Sequence, residues 1–377
     1  MNLQSLIFCS DEKVVRILRR VLNDMDVEID VCADPDLAIR KLTRQRFESV
    51  IVDCHDRAEA SSVLKGVHSS PVNQRAITVA VCEGSSVLRG SFDLGSHFAL
   101  MKPITPDRAR ATFRAVRALM KRERRRNTRI AVQIPVDLVS STGVCLHTTS
   151  TDLSEGGISV QLKQRPENFA GLRIQFVLPG TSTTVASKAE VAWENSGVQK
   201  GIRFVELAPE TQAELNDWIR DHSRELESDD PPSASKLSDL SLNGCYLELT
   251  SPFPVRTRLT LSMRVSNLEV RVEGIVRVMH PELGMGVEFT QRTSVQKFQV
   301  EKFIHALTNS AGASPELMVE PDCIDNSGQL ATRDSKEHLE DPLLGLFLRS
   351  GLSSHDFQLE LKKQRGSQPQ AVLAASV

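Results

Sequence analysis

The hydrophobic period of this chain changes near residue 122, and that change does most to limit its fold. Before it, short apolar runs alternate with stripes at helical spacing. Leu6-Ile7-Phe8-Cys9 reads as a buried strand, and Val14, Val15, Leu18, Val21 and Leu22 then recur on one helical face. Val27–Cys32, Val50-Ile51-Val52, Ile77–Val81 and Phe98–Met101 supply four more strands. A helix is expected from about Pro35, and another at Thr105-Pro106, where a hydroxyl N-cap precedes proline at the first helical position. This alternation predicts a doubly wound parallel sheet, with functional groups at the carboxyl ends of its strands. From about 130 the period is two: Val132, Ile134, Val136 and Leu138 alternate with more polar neighbours. Gly157–Leu162, Leu172–Leu178, Ser187–Trp193 and Gly201–Val205 read as further strands, with one trailing helix over Pro209–Ser223. Closely spaced strands of this kind predict a small β-barrel.

The pattern then repeats. Asp152-Leu153-Ser154-Glu155-Gly156-Gly157 is a D-x-S-x-x-G, and Asp239-Leu240-Ser241-Leu242-Asn243-Gly244 is a second. Ala189–Trp193 matches Glu273–Arg277, and Gly201–Phe204 matches Gly286–Phe289, in the same order. Ordered landmarks of this kind indicate an internal duplication. The acidic, proline-containing Glu227–Pro232 reads as a linker. Residues beyond about 310 lack sustained periodicity and are expected to be mostly disordered, apart from a short helix near Pro342–Leu348.

Composition narrows the function. Hydrophobic residues make up 40% and charged residues 25% of 377, and the formal net charge is −2. So balanced a charge exerts no overall pull toward nucleic acid or membrane, and the basic charge is local, in Lys121–Arg126 and Arg129. No helix-turn-helix, zinc finger or aromatic stacking platform accompanies it, so DNA is not an expected partner. No apolar run approaches the roughly 18–20 residues of a membrane span, and no signal peptide opens the chain, so a cytoplasmic protein is expected. Seven cysteines without a C-x-x-C and nine scattered histidines predict neither a disulfide framework nor a zinc site. The chain also lacks a P-loop, a G-x-S-x-G and an H-E-x-x-H, and is expected not to be an enzyme.

The chemistry concentrates in two motifs. Arg125 and Arg129 form an R-x-x-x-R, with Arg124 in front. Placed on a loop, guanidinium forks of this kind can grip phosphates or the O6/N7 edge of guanine. About two dozen residues on, Asp152 can accept from guanine N1–H and N2–H, Ser154 can serve a phosphate or a base edge, and Gly157 lets backbone and ligand approach. The pair resembles the signature of PilZ domains, which sense the second messenger cyclic di-GMP. The resemblance covers 124–222 well, with Trp193, Gly201 and Phe204 as later landmarks, and 233–308 in part. It implies that Arg124, Arg125, Arg129, Asp152, Ser154 and Gly157 hold cyclic di-GMP, with Arg124 associated with capture of a stacked ligand dimer. The second copy keeps Asp239, Ser241 and Gly244, but acidic Asp229-Asp230 stands upstream where arginines are expected. It is expected to repel phosphates, and to pack on the first copy or present a protein-binding surface.

Residues 1–122 resemble a response-regulator receiver domain, with a flavodoxin-like fold. Asp53 ends the third strand, and Gly95–Pro103 matches the fifth-strand signature with Lys102 in it. The resemblance implies Asp53 as phospho-acceptor, assisted by Asp11 and Lys102, with Mg²⁺ at Asp11 and Asp53. Ser10 replaces half of the expected acidic pair and Cys82 stands where a hydroxyl is expected, which points to a docking module rather than a phosphorylated switch. The expected architecture is a receiver-like domain (1–122), an intact PilZ domain (124–225), a degenerate one (226–310) and a tail (311–377). The expected function is a non-enzymatic signalling protein that binds cyclic di-GMP, without cofactor, and relays the signal to an unidentified protein. The alternative is a response-regulator scaffold controlled at Asp53.

Overall fold

A computed structural model describes residues 3–141, 143–162, 171–195, 199–223, 230–290, 293–309 and 315–325, with isolated positions 356, 359, 360 and 363. The chain forms two compact units, one of residues Glu123–Ser228 and one of residues up to Arg122 together with those from Asp229 onward.

The first 127 residues alternate as their hydrophobic period requires: β1 (Leu3–Phe8), α1 (Glu12–Asn23), β2 (Val27–Cys32), α2 (Pro35–Arg44), β3 (Ser49–Asp53), α3 (Arg57–Ser69), β4 (Ile77–Cys82), α4 (Ser85–Asp93), β5 (Phe98–Met101) and α5 (Pro106–Asn127). Asp11, Asp34 and Asp56 cap α1, α2 and α3, each side chain accepting from two backbone N–H groups of the first turn. The strands form a parallel sheet in the order β2-β1-β3-β4-β5. Its order reverses between β1 and β3, so the crevice at their carboxyl ends is where such a sheet places function. Asp53 ends β3 there.

The Glu123–Ser228 unit holds β6 (Ile130–Ala131), β7 (Pro135–Val139), β8 (Cys145–Ser154), β9 (Gly157–Gln161), β10 (Arg173–Val177), β11 (Thr184–Glu194), β12 (Gln199–Glu206) and α6 (Pro209–His222). The strands run in the order β8-β7-β10-β11-β12-β9, a β8–β9 pairing closes the ring, and β6 adds to β8. Inward Val136, Leu138, Ile158, Val160, Ile174, Phe176 and Val185 fill it, with Leu215, Trp218 and Ile219 of α6 in the same core.

The rest of the other unit is a second antiparallel barrel of β13 (Ser233–Leu240), β14 (Gly244–Glu248), β15 (Thr257–Val265), β16 (Leu268–His280) and β17 (Gly284–Phe289), then α7 (Ser294–Asn309) and β18 (Glu316–Ile324). Its closed order is β13-β14-β17-β16-β15-β18. The duplication is therefore structural, and it carries a permutation. In the first barrel β7, which precedes β8 in the chain, lies between β8 and β10. In the second, β18 fills the matching place between β13 and β15, and it arrives from beyond α7.

Two expectations change. Residues 316–324 are a barrel strand, not tail, with Leu317, Val319, Cys323 and Ile324 buried; the helix expected near 342–348 lies outside the described residues. The landmark match also moves by one residue. Trp193 pairs with Gly201 and Val278 with Gly286, so Ala189 corresponds to Gly274. Both barrels carry a bulge just before that pair, and another just before the motif aspartate.

The second barrel and the sheet domain share one apolar core, in which Phe113, Val116 and Met120 of α5 join Phe253, Leu259 and Val276. Polar contacts flank it: Ser251 Oγ donates to Thr112 Oγ1 at 3.1 Å, Arg108 pairs with Glu282, and Arg122 with Glu320. Asp230 takes Arg117 at 2.7 Å and Lys121 at 2.8 Å, so this acidic residue is matched within its own unit.

Burying an aliphatic side chain is worth about 1.5–3 kcal/mol, so removing the three buried aliphatic residues of β18 should take most of a small barrel's stability. A chain ending at Asn309 is expected to lose cooperative unfolding of the unit that holds the second barrel, read by calorimetry, while the Glu123–Ser228 unit still melts. A truncated chain with both transitions at full-length temperatures would contradict this placement of β18.

Candidate functional site

The D-x-S-x-x-G segment is a tight β8–β9 turn. Ser154 Oγ donates to Gly157 O at 2.9 Å, and Ser154 is buried. A Cβ on Gly157 would lie 2.3 Å from Ile202 O, so only glycine lets β9 approach β12 this closely. The second copy builds the same turn: Ser241 Oγ donates to Gly244 O at 3.0 Å, and a Cβ on Gly244 would meet Val287 O at 2.3 Å. The motif serine and glycine therefore hold the turn in both barrels. Ser154 faces inward rather than toward a ligand, and Gly157 serves strand packing rather than an open surface.

What the turn positions is Asp152. The bulge at Thr151 sets Asp152 opposite Ser159. Ser159 Oγ donates to Asp152 Oδ1 at 2.9 Å, and Arg129 Nη1 reaches the same Oδ1 at 2.7 Å and Ser159 Oγ at 3.0 Å. Arg129 is about half exposed and Asp152 about a fifth, whereas Ser159 is buried. β6 secures the approach, Ile130 pairing with Leu153 and Ala131 with Asp152. The row continues across the sheet from Ser159 to Gly201 and on to Trp193. Trp193 is partly exposed, and its indole occupies the space a Cβ on Gly201 would need.

The upstream arginines divide. Arg124 and Arg125 lie in the last turn of α5, not on a loop, and Arg125 is only 6% exposed. Arg129 follows the helix. The structure thus brings Arg129 and Asp152 together and leaves Arg125 inside. Ser159 belongs to the array although the motif does not include it. Its signal is a polar residue at the centre of the apolar Gly157–Val160 run.

The second barrel replaces the array. Asp239 stands opposite Tyr246, which is buried, and Tyr246 Oη lies 3.0 Å from Nδ1 of buried His280. A Cβ at Gly284 or Gly286 would fall 2.8 or 3.9 Å from the Tyr246 ring, which lies along the row that Ser159 and Gly201 occupy in the first copy. β18 comes from the far end of the chain, and among the described residues no strand like β7 lies between α6 and β13.

At the sheet's switch point Asp53 is nearly buried. Its Oδ2 accepts from Lys102 Nζ at 3.0 Å and from Cys9 Sγ at 3.1 Å, and its Oδ1 accepts from the His55 N–H at 3.2 Å. Burial, then the hydrogen bond to Asp53, pushes the Cys9 thiol up to about 12. Asp11 instead spends its carboxylate on the N–H groups of Lys13 and Val14, which hold its pKa below the ordinary value. Mg²⁺ asks for hard oxygen donors. Here a neutral thiol and an ammonium crowd Oδ2 and Asp11 is turned to its helix, so these residues do not fit the ion that the resemblance implied. The side-chain hydrogen bond to Cys82, then burial, raises the Cys54 thiol at the same strand ends.

Comparison with known proteins follows this division. The PilZ domain model matches residues 123–221 and again 223–306. No curated protein matches the chain. Among solved structures, the chemotaxis response regulator CheY4 of Vibrio cholerae is 18% identical over 31% of this chain and 99% of its own, at TM-score 0.29. The PilZ domain of CeSA from a cellulose-synthesizing bacterium is 20% identical over 25% of this chain and 97% of its own, at TM-score 0.21. The Bacillus subtilis inhibitor of motility is 20% identical over 25% of this chain and 47% of its own, at TM-score 0.22. No described helix is long and apolar enough to cross a membrane. The chain carries a parallel α/β domain followed by two PilZ domains.

Proposed function

We propose that the chain binds cyclic di-GMP through its first PilZ domain and relays the signal by protein contacts, without catalysis. The observation that carries this reading is the Arg129–Asp152–Ser159 array. A guanidinium and a carboxylate held in one hydrogen-bonded frame offer a donor fork to phosphate or guanine and an acceptor to guanine N–H groups. The second copy, with Tyr246 and His280 in that place, is the non-binding one. Arg125 is buried in the last turn of α5, so its use by the ligand requires that turn to reorganise. α5 begins in the receiver-like domain, and its end is the segment the ligand would change.

Losing a bidentate guanine contact costs about 1–3 kcal/mol, and tenfold in affinity is about 1.4 kcal/mol. Calorimetric titration of cyclic di-GMP into the full-length chain should show binding that weakens roughly tenfold to hundredfold in Arg129→Ala, with the fold intact by circular dichroism. Two ligands per chain are expected, falling toward one in Arg124→Leu, because a stacked ligand dimer needs a further cation. Unchanged affinity in Arg129→Ala would sink the site assignment; one ligand per wild-type chain would remove the dimer and leave the site.

The receiver-like domain, on this reading, serves as a docking element. Cys9 beside Asp53 and the engagement of Asp11 Oδ1 by the first turn of α1 leave a poor magnesium site. Acetyl phosphate with Mg²⁺ should label Asp53 poorly or not at all. Rapid stoichiometric labelling that Asp53→Asn abolishes would favour control at Asp53 instead.

A further inference from the structure

Six of the seven cysteines are buried, and the seventh, Cys145, is exposed. It opens β8, two residues before His147, so the two share a face of the strand. The β7–β8 register sets Asp137 directly opposite His147 and Val139 opposite Cys145. Asp137 is therefore the diagonal neighbour of Cys145, and three potential metal ligands stand on one exposed face. Their ligand atoms all lie within 4.8 Å of one another. His147 Nδ1 is 2.6 Å from Asp137 Oδ1, so the imidazole is already oriented by the carboxylate.

We propose that Asp137, Cys145 and His147 form a surface zinc site on the β7–β8 hairpin. One thiolate, one imidazole and one carboxylate make a mixed S, N, O set that suits Zn²⁺ and does not suit Mg²⁺ or Ca²⁺, which take oxygen. Metal–ligand bonds of about 2.0–2.3 Å put tetrahedral ligand atoms about 3.3–3.8 Å apart, so small side-chain rotations close the site. Three protein ligands leave the fourth position to water or a partner's side chain. Zn²⁺ uptake forms the Cys145 Sγ–Zn bond and releases the thiol proton to solvent, with no redox step. The site is separate from the nucleotide array: seven residues along β8, at about 3.3 Å each, place Asp152 about 23 Å from Cys145.

Cobalt reports on this directly. Co²⁺ titrated into the reduced full-length chain should give a thiolate-to-cobalt charge-transfer band with tetrahedral d–d bands, saturating at one metal per chain and bleached by Zn²⁺. Cys145→Ser should abolish the charge-transfer band, and His147→Ala should weaken binding. In parallel, one thiol per native chain should react rapidly with a thiol reagent, and saturating Zn²⁺ should slow it. The proposal is overturned by absence of the charge-transfer band, by its survival in Cys145→Ser, or by a Cys145 reactivity indifferent to Zn²⁺.

Discussion

The approach of one backbone to another at Gly157 and Gly244 is the constraint on which the two barrels depend. In each, a carbonyl of the neighbouring strand occupies the place a Cβ would take, at 2.3 Å. The motif serine closes the turn onto the glycine's carbonyl, and a bulge before the motif aspartate sets it against a fixed cross-strand partner. That machinery is common to both copies. The partner is what differs. Ser159 hands a hydrogen bond to Asp152 and leaves room for Arg129, whereas Tyr246 fills the equivalent place and engages His280. A shared turn and a divergent partner account for a motif that persists in both copies over two different surfaces.

The permutation explains the second divergence. The second barrel takes its missing strand from β18, and among the described residues no strand just upstream of β13 ties an arginine segment to it. Residues just before β13 serve instead the contact with α5, where Asp230 meets Arg117 and Lys121. The second barrel and the receiver-like sheet then share an apolar core, and Arg108, Thr112 and Arg122 of the same helix contact the barrel. α5 thus packs on the second barrel while its last turn holds Arg124 and Arg125.

Much of this was legible in the residues. The change of period at 122 and the parallel sheet implied by βα alternation follow from apolar spacing, which is set by which face is buried, and the duplication follows from its ordered landmarks. The two motifs that hold Arg129 and Asp152 stood out as a pair by their resemblance, and the structure brings these two side chains together. Four things were not. β18 reads as tail because its partners lie more than fifty residues away in sequence and Pro321 interrupts its strand-forming residues. The one-residue shift of Trp193 against Val278 hides because the equivalent positions carry unlike side chains, Ala189 against Gly274 and Trp193 against Val278. Arg125 reads as a loop residue because a run of arginines has no apolar stripe, yet the helix continues through it and buries it. The Asp137–Cys145–His147 cluster was hidden for the same reason as β18: it exists only once the hairpin register is set.

Amide hydrogen exchange of the full-length chain, with and without cyclic di-GMP, tests the central claim most directly. Ligand should slow exchange across the end of α5 through β6 and in the Asp152–Ser159 turn, and leave the Asp239–Tyr246 turn unchanged. Protection at Asp239–Tyr246, or none at Asp152–Ser159 under saturating ligand, would contradict the assignment of binding to the first barrel.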